Sequence, residues 1–275
     1  TPLVLVDGLE RDMSLVSPEE VESVSILKDA AAVALYGYKG VNGAILITTK
    51  RGKYKTKEIT FTYDHIINTQ SRRPEFVDAA TYASAVNEAR GYEGLGARYT
   101  PEEVDAFRNG VGSGGASRMY PYLYPNVNWI DETFKDRGVS NKYTIEFRGG
   151  GAKFRYYTMA NLLTDKGFIK TPNANDGYST QVEMYALKLR TNLEANISPT
   201  TMARMNLMGR LMQYQQPTGG TSLANVYNTP VIAAPIYDRN GVWAKNQMFT
   251  NPLAVQAANG YGKVLQRTLF ADLTI

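Results

Sequence analysis

Two pairs of adjacent carboxylates, Glu19/Glu20 and Glu102/Glu103, are the side chains here best suited to paired acid–base work. Glycoside hydrolysis needs two carboxyl groups across the scissile bond, one proton donor and one base or nucleophile. Each pair, however, follows a helix-start signature, Ser17-Pro18 and Thr100-Pro101. The positive end of a helix accounts for acids in a first turn without any catalysis, so capping is the reading they support. Gly149-Gly150-Gly151 lacks both the following helix and the Gly-Lys-Ser/Thr sequence of a phosphate cradle and reads as a β-turn. Gly110 to Gly115 reads as a flexible loop. Lys50, Arg51, Lys53, Lys55 and Lys57 could hold a phosphate, but a solvated linker is the favoured reading. His65 has no serine–aspartate arrangement near it in sequence. No catalytic residue, metal ligand or cofactor site is predicted, and the chain is not read as an enzyme.

Composition narrows the classes further. Cysteine is absent and histidine occurs once, which removes disulfide frameworks, thiol nucleophiles and zinc-thiolate sites. The net charge of +4 comes from 30 basic and 26 acidic residues that are interspersed, so nucleic acid is not implied. At 43% hydrophobic the chain can fold, yet its apolar runs, such as Ala30 to Tyr36 and Ala44 to Ile47, are too short to cross a bilayer as helices. A soluble protein or a membrane β-barrel remains, since a closed barrel also satisfies its backbone in lipid. Nineteen tyrosines suit surfaces where an apolar ring meets a wet edge.

The elements that would position these residues begin with a buried strand, Leu3 to Val6, closed by the turn pair Asp7-Gly8. Ser17-Pro18-Glu19-Glu20 predicts a helix start, Val24 to Leu27 is a short β-branched run, and Asp29 caps an alanine-rich helix through Leu35 that Gly37 ends. Asn42-Gly43 turns the chain into a strand over Ala44 to Thr49. These pieces make a small α+β unit. The chain opens and stops inside strand-like runs, which predicts a fragment of a longer protein.

The same residues carry a resemblance. Pro2-Leu3-Val4-Leu5-Val6-Asp7-Gly8, then Ser17 to Ser23 leading to Ile26-Leu27-Lys28-Asp29-Ala30, then Tyr36-Gly37, Asn42-Gly43 and Ile45 to Gly52, resemble in order the plug of SusC-like (SusC/RagA family) TonB-dependent outer-membrane transporters. Ala31 stands where the family often has serine, and Tyr38, Gly40 and Val41 stand where small residues, often alanines, are usual. Asn128-Trp129-Ile130-Asp131 resembles the family's aromatic-acid motif before its second strand.

Beyond Lys53 the pattern has period two. Ile59, Phe61 and Tyr63 alternate with Thr60, Thr62 and Asp64, and Tyr143, Ile145 and Phe147 with Thr144, Glu146 and Arg148. Tyr185, Leu187, Leu189 and Leu193 oppose Lys188, Arg190, Asn192 and Glu194, and Leu265 to Ile275 repeats the scheme. Lys153 to Thr164 and Thr201 to Tyr214 are strands with less regular faces. Alternation alone suits a soluble sandwich or a barrel. Connection lengths favour the barrel: they run long (68–139), short (149–152), long (165–181), short (198–200), long (215–261). The first long gap contains two predicted helices, Asp78 to Arg90 and Pro101 to Asn109.

The resemblance implies a membrane β-barrel of about 22 antiparallel strands when complete, filled by an α+β plug. Residues 1–53 would be the C-terminal part of that plug, and residues 54–275 the first six or so strands with three long extracellular loops. It implies TonB-dependent import of oligosaccharides across the outer membrane of a Gram-negative bacterium of the Bacteroidetes, with a SusD-like surface lipoprotein as partner. TonB would act through a plug segment absent from this chain. Import of oligopeptides, a non-transporting receptor or adhesin, and a soluble carbohydrate-active enzyme are the alternatives. Tyr120, Tyr122, Tyr124, Trp129, Tyr237 and Trp243, all in predicted outer loops, are the expected ligand contacts, because flat rings stack on sugars or hold peptide side chains. Packing of the loops, or contact with a partner protein, would account for the same rings.

Overall fold

The computed structural model describes residues 2–109, 122–173, 177–218 and 223–275. In its first part Asp7 and Gly8 both take positive φ, 51° and 89°, so strand β1 (Leu3–Val6) folds straight back onto β2 (Leu9–Glu10). The helix predicted from Ser17 is a single 3-10 turn, Pro18–Glu20, with Glu20 bonding back to the Ser17 N–H at 2.6 Å. It stops there because the β-branched run that follows pairs as β3 (Val21–Leu27) with β4 (Ala44–Thr49), and strand pairing outweighs helix propagation. Between them α1 (Asp29–Tyr36) ends at Gly37, where φ is 59°. The four strands order as β2-β1-β4-β3, with β1 and β4 parallel. Leu3, Leu5 and Ala44 pack on Ala32 of α1.

The second part is a six-stranded antiparallel meander of β5 (Thr56–Thr69), β6 (Arg137–Gly150), β7 (Phe154–Lys166), β8 (Glu183–Asn196), β9 (Met202–Pro217) and β10 (Tyr261–Thr274). All six strands read from the sequence are present. Each has 13 to 16 residues, more than the nine to eleven or so that cross a bilayer when tilted. Short turns join β6 to β7 and β8 to β9, and the three long connections lie at the other end of the sheet.

Those connections fold on themselves. Residues between β5 and β6 form α2 (Ala79–Tyr92), α3 (Pro101–Asn109) and α4 (Trp129–Thr133), and those between β9 and β10 form α5 (Leu223–Asn228) and α6 (Pro252–Ala258). Asp78 and a Thr100–Glu103 box cap α2 and α3 as read from the sequence. Ala79, Ala80, Ala83, Phe107 and Val231 make one apolar centre, and Trp129, Ile130 and Val226 another.

The two faces of the meander are inverted relative to a soluble protein. Ile59 (70% exposed), Phe61, Leu189 (50%), Leu211 and Leu269 lie on the open face, while Lys188, Arg190, Asn192 and Glu194 are buried. Burying charge while exposing leucine is costly in water. It is the arrangement that suits a wall with lipid on one side and a polar, filled interior on the other.

Candidate functional site

What covers the charged face is the four-stranded sheet. Glu20, fully buried, is the centre of the contact: one carboxylate oxygen accepts from the Lys188 ammonium and the other from the Arg190 guanidinium. Lys188 is also held by the Leu15 carbonyl and by Ser17 Oγ at 3.1 Å. Asp7, fixed by the Thr49 N–H at 3.0 Å and Thr49 Oγ1 at 2.6 Å, lies 3.5 Å from Arg190 and 3.6 Å from Arg51. Arg51 continues the chain of charge to Glu194 at 3.3 Å, which Arg155 and Arg204 also approach, at 3.1 and 3.4 Å. Asn192 Nδ2 donates to Thr49 Oγ1 and to the Lys50 carbonyl, both at 2.8 Å.

Around this centre lie further pairs. Lys50 bonds Glu146 at 2.9 Å, Arg148 bonds Glu22 at 2.9 Å, Lys142 pairs with Glu19, and Arg11 pairs with Asp272 while lying over the Phe270 ring. Acid and base alternate across the two sheets, so the buried charges compensate each other. Gly52 marks the closest approach. A Cβ there would sit 2.3 Å from the Tyr156 amide nitrogen and 2.7 Å from the Gly149 carbonyl oxygen. Only glycine lets the chain pass over the six-stranded sheet at this point.

Local reading missed most of this interface. Glu20 does act in a capping turn and Asp7 in a hairpin, but both also carry the contact. Lys50 and Arg51 are not a solvated linker; Lys53, Lys55 and Lys57 are exposed. The available signal was in β8, where Lys188, Arg190, Asn192 and Glu194 share one face opposite leucines.

A second constellation lies in the long connections. Tyr237 and Trp243 form an isolated antiparallel bridge, and their rings stack at 4.5 Å and 28°. Asp238 closes the tip: its Oδ1 accepts the Asn240 and Val242 N–H groups at 2.8 and 2.9 Å. Asn251 fixes the base by donating to the Ile236 and Ala244 carbonyls while its Oδ1 caps α6. On one side of the stacked rings is a cleft of ≈ 500 Å³ lined by Glu132, Lys170, Thr171, Asn173, Tyr237 and Trp243. A second cleft of ≈ 520 Å³, which shares Trp243 with the first, is lined by Tyr122, Arg239, Trp243 and Lys245, with Arg239 over the Tyr122 ring.

Of the six expected contact residues, Tyr122, Tyr237 and Trp243 therefore converge on one place. Trp129 does not: it is 2% exposed, its indole N–H donates to the Pro230 carbonyl at 3.0 Å, and it is core. Tyr124 packs edge-on against Phe107 and belongs to the helical loop centre. Tyr120 and the Gly110 to Gly115 stretch lie outside the described residues. His65, exposed on β5, bonds Asn141 at 2.7 Å. Glu132 and Lys170, which line the first cleft, were not anticipated; the Asn128 cap of α4 is the sequence signal that would have placed Glu132.

No protein-family model matches the chain. It is 26% identical over 271 residues to the TonB-dependent receptor P3 of Formosa agariphila, covering 92% of this chain and 22% of the relative. It is 30% identical over 176 residues to the receptor P39 of the same organism, covering 64% and 15%. To the TonB-dependent receptor SusC of Bacteroides thetaiotaomicron it is 24% identical, covering 74% and 19%. The chain thus spans about a fifth of the length of the curated relatives it matches. Its fold matches part of the RagAB peptide transporter, with a TM-score of 0.68, 20% identity and coverage of 99% of this chain and 32% of that one. The open-open state of the RagAB peptide importer gives a TM-score of 0.68 at 21% identity, covering 100% and 32%. These relatives are receptors and transporters, not enzymes.

Proposed function

We propose, from the premise that this chain belongs to the SusC-like TonB-dependent receptors, that it contributes part of the plug and part of the wall of an importer carrying oligosaccharides across the outer membrane. Residues 1–53 are the plug part. Residues 54–275 are wall, with 68–139, 165–181 and 215–261 as its extracellular loops, in a barrel of about 22 strands. A SusD-like lipoprotein covers the mouth, and TonB supplies the work of opening.

One observation carries this reading: the meander exposes leucine and isoleucine on one face and buries Lys188 and Arg190 on the other, against Glu20 and Asp7 of the smaller sheet. A binding module or soluble enzyme has no use for that inversion. A lipid-facing wall with an occupied, wet interior does.

The test is uptake of fluorescent oligosaccharides by cells that depend on the full-length receptor. Deleting TonB or collapsing the proton-motive force is expected to abolish uptake while leaving surface binding intact. Uptake that survives both treatments refutes import, and uptake of peptides in place of oligosaccharides refutes the cargo alone.

A further inference from the structure

We infer that the Tyr237–Trp243 hairpin is an oligosaccharide-binding platform, with a pyranose ring seated against the aromatic pair and its hydroxyls met by Glu132, Lys170 and Asn173. The inference rests on the import reading and adds the site and the contacts that read the cargo.

Four features of the molecule support it. First, the platform is rigid before any ligand arrives. The Asp238 turn, the Ala244 N–H to Ile236 carbonyl bond at 3.2 Å and the two Asn251 bonds hold both strands of the hairpin, so little ordering is left for binding to supply. Second, Tyr237 is 47% exposed although stacked, an arrangement that leaves aromatic surface open to the cleft. The axial C–H groups of a pyranose present a flat, weakly positive surface that complements the negative face of such rings.

Third, the rim matches hydroxyl groups. Glu132 supplies acceptors, Asn173 both a donor and an acceptor, and Lys170 an ammonium already steered by the Asp131 carbonyl at 3.0 Å with donors to spare. Sugar hydroxyls both donate and accept, so a mixed rim serves them. A buried apolar side chain would want an enclosed, dry pocket, which this open cleft is not. Fourth, the paired part of the hairpin is a single bridge, Tyr237 to Trp243, too short a strand edge to template an extended peptide. The ≈ 500 Å³ of the cleft falls in the size range of small-ligand sites.

The experiment uses the full-length receptor in nanodiscs, probed with an array of neutral and uronic-acid oligosaccharides and with a tryptic digest of casein. The wild type is expected to retain one or more array glycans and no casein peptide. Trp243→Ala and Tyr237→Ala should weaken that glycan about ten-fold or more, the scale on which loss of a central aromatic anchor registers. Because either change could loosen the hairpin, Glu132→Gln and Asn173→Ala, at the cleft rim, provide a second arm and should weaken the same glycan with unchanged thermal stability. Equal affinity in wild type and in all four variants overturns the site, as does a receptor that retains no array glycan. Retention of casein peptides with the same residue dependence overturns the ligand class. Failure here is separable from failure of the import reading: TonB-dependent uptake that ignores all four variants refutes the platform alone, and glycan binding that needs Trp243 in cells whose uptake ignores TonB refutes import alone.

Discussion

Replacing Glu20 with glutamine removes one negative charge from the centre of the contact between the four-stranded sheet and the meander while keeping side-chain volume and an acceptor oxygen. Glu20 is 0% exposed and is shared by Lys188 and Arg190. After the change Arg190 retains Asp7 at 3.5 Å, but Lys188 retains only neutral partners, the Leu15 carbonyl and Ser17 Oγ. Removing one partner of a buried ion pair costs about 3–5 kcal/mol, because the remaining charge is stranded. The loss should fall on the docking of the first sheet, since none of the apolar cores is touched. With a urea dependence of about 2 kcal/mol per molar, the midpoint for release of that sheet should drop by roughly 1.5–2.5 M. A fluorophore on Ser25→Cys, exposed on β3, reports the release in the full-length receptor. Removing the stranded charge as well, with Lys188→Met, should recover part of the loss, a coupling of about 1–3 kcal/mol in the double-mutant cycle. A Glu20→Gln midpoint within about 0.3 M of wild type, or strictly additive variants, would refute the view that this carboxylate holds the first sheet to the meander.

Three further outcomes are expected. Leu189→Arg, on the exposed face of β8, should destabilise the receptor in phospholipid vesicles by about 2–4 kcal/mol if that face meets lipid, whereas a water-facing position would tolerate it within about 0.5 kcal/mol. Gly52→Ala forces a methyl against the Tyr156 amide and the Gly149 carbonyl, both backbone; it should lower the temperature of the heat-induced gel shift, with a cost of about 1–3 kcal/mol. The Asp78 carboxyl is held below the usual carboxylate range, chiefly by the Thr81 backbone N–H and then by the Thr81 hydroxyl. A depressed native pKa means that its contribution is complete above the unfolded pKa and fades as pH falls through the native one. Hydrogen exchange of α2 should therefore quicken in acid for wild type. It should show no such step in Asp78→Asn, which keeps the cap, and be faster at all pH in Asp78→Ala by about 1 kcal/mol.

The strands were legible because their pattern is local: a period of two over a run such as Glu58 to Asp64 survives without any knowledge of partners, and all six strands appear, including Lys153 to Thr164 and Thr201 to Tyr214, whose faces alternate less regularly. Which face is inside was not legible, since alternation is symmetric and only the partner sheet breaks the symmetry. Glu20 shows the difficulty. Its sequence neighbours give it a complete local role in the Ser17 turn, while Lys188 and Arg190, 168 and 170 residues away, give it the one that matters for assembly. The aromatic residues divided for the same reason. Trp129 and Trp243 stand in similar polar, loop-like contexts, but Pro230 and Val226 close over the first, and the hairpin turn at Asp238 holds the second at a cleft. The helices α4, α5 and α6 span only five to seven residues, too few for periodicity to register, although Asn251-Pro252 is a readable start signal for the last.

The make-up of the contact between the two sheets bears on how they would separate under the proposed import. Had leucines met leucines there, separation would cost free energy in proportion to the apolar area exposed, with nothing returned by the water that enters. Here the groups that part are Glu20, Asp7, Lys188, Arg190, Arg51 and Asn192, each strongly hydrated once exposed. A buried ion pair is worth little more than a hydrophobic substitute at equilibrium, because desolvation offsets most of the Coulomb attraction. It is demanding in geometry, however, and so fixes one docked position. As water follows the departing sheet, the effective dielectric rises and each successive pair separates more easily. Under the proposed function, such a contact would hold the first sheet in register at rest and yield progressively once a pull had broken the Glu20 centre.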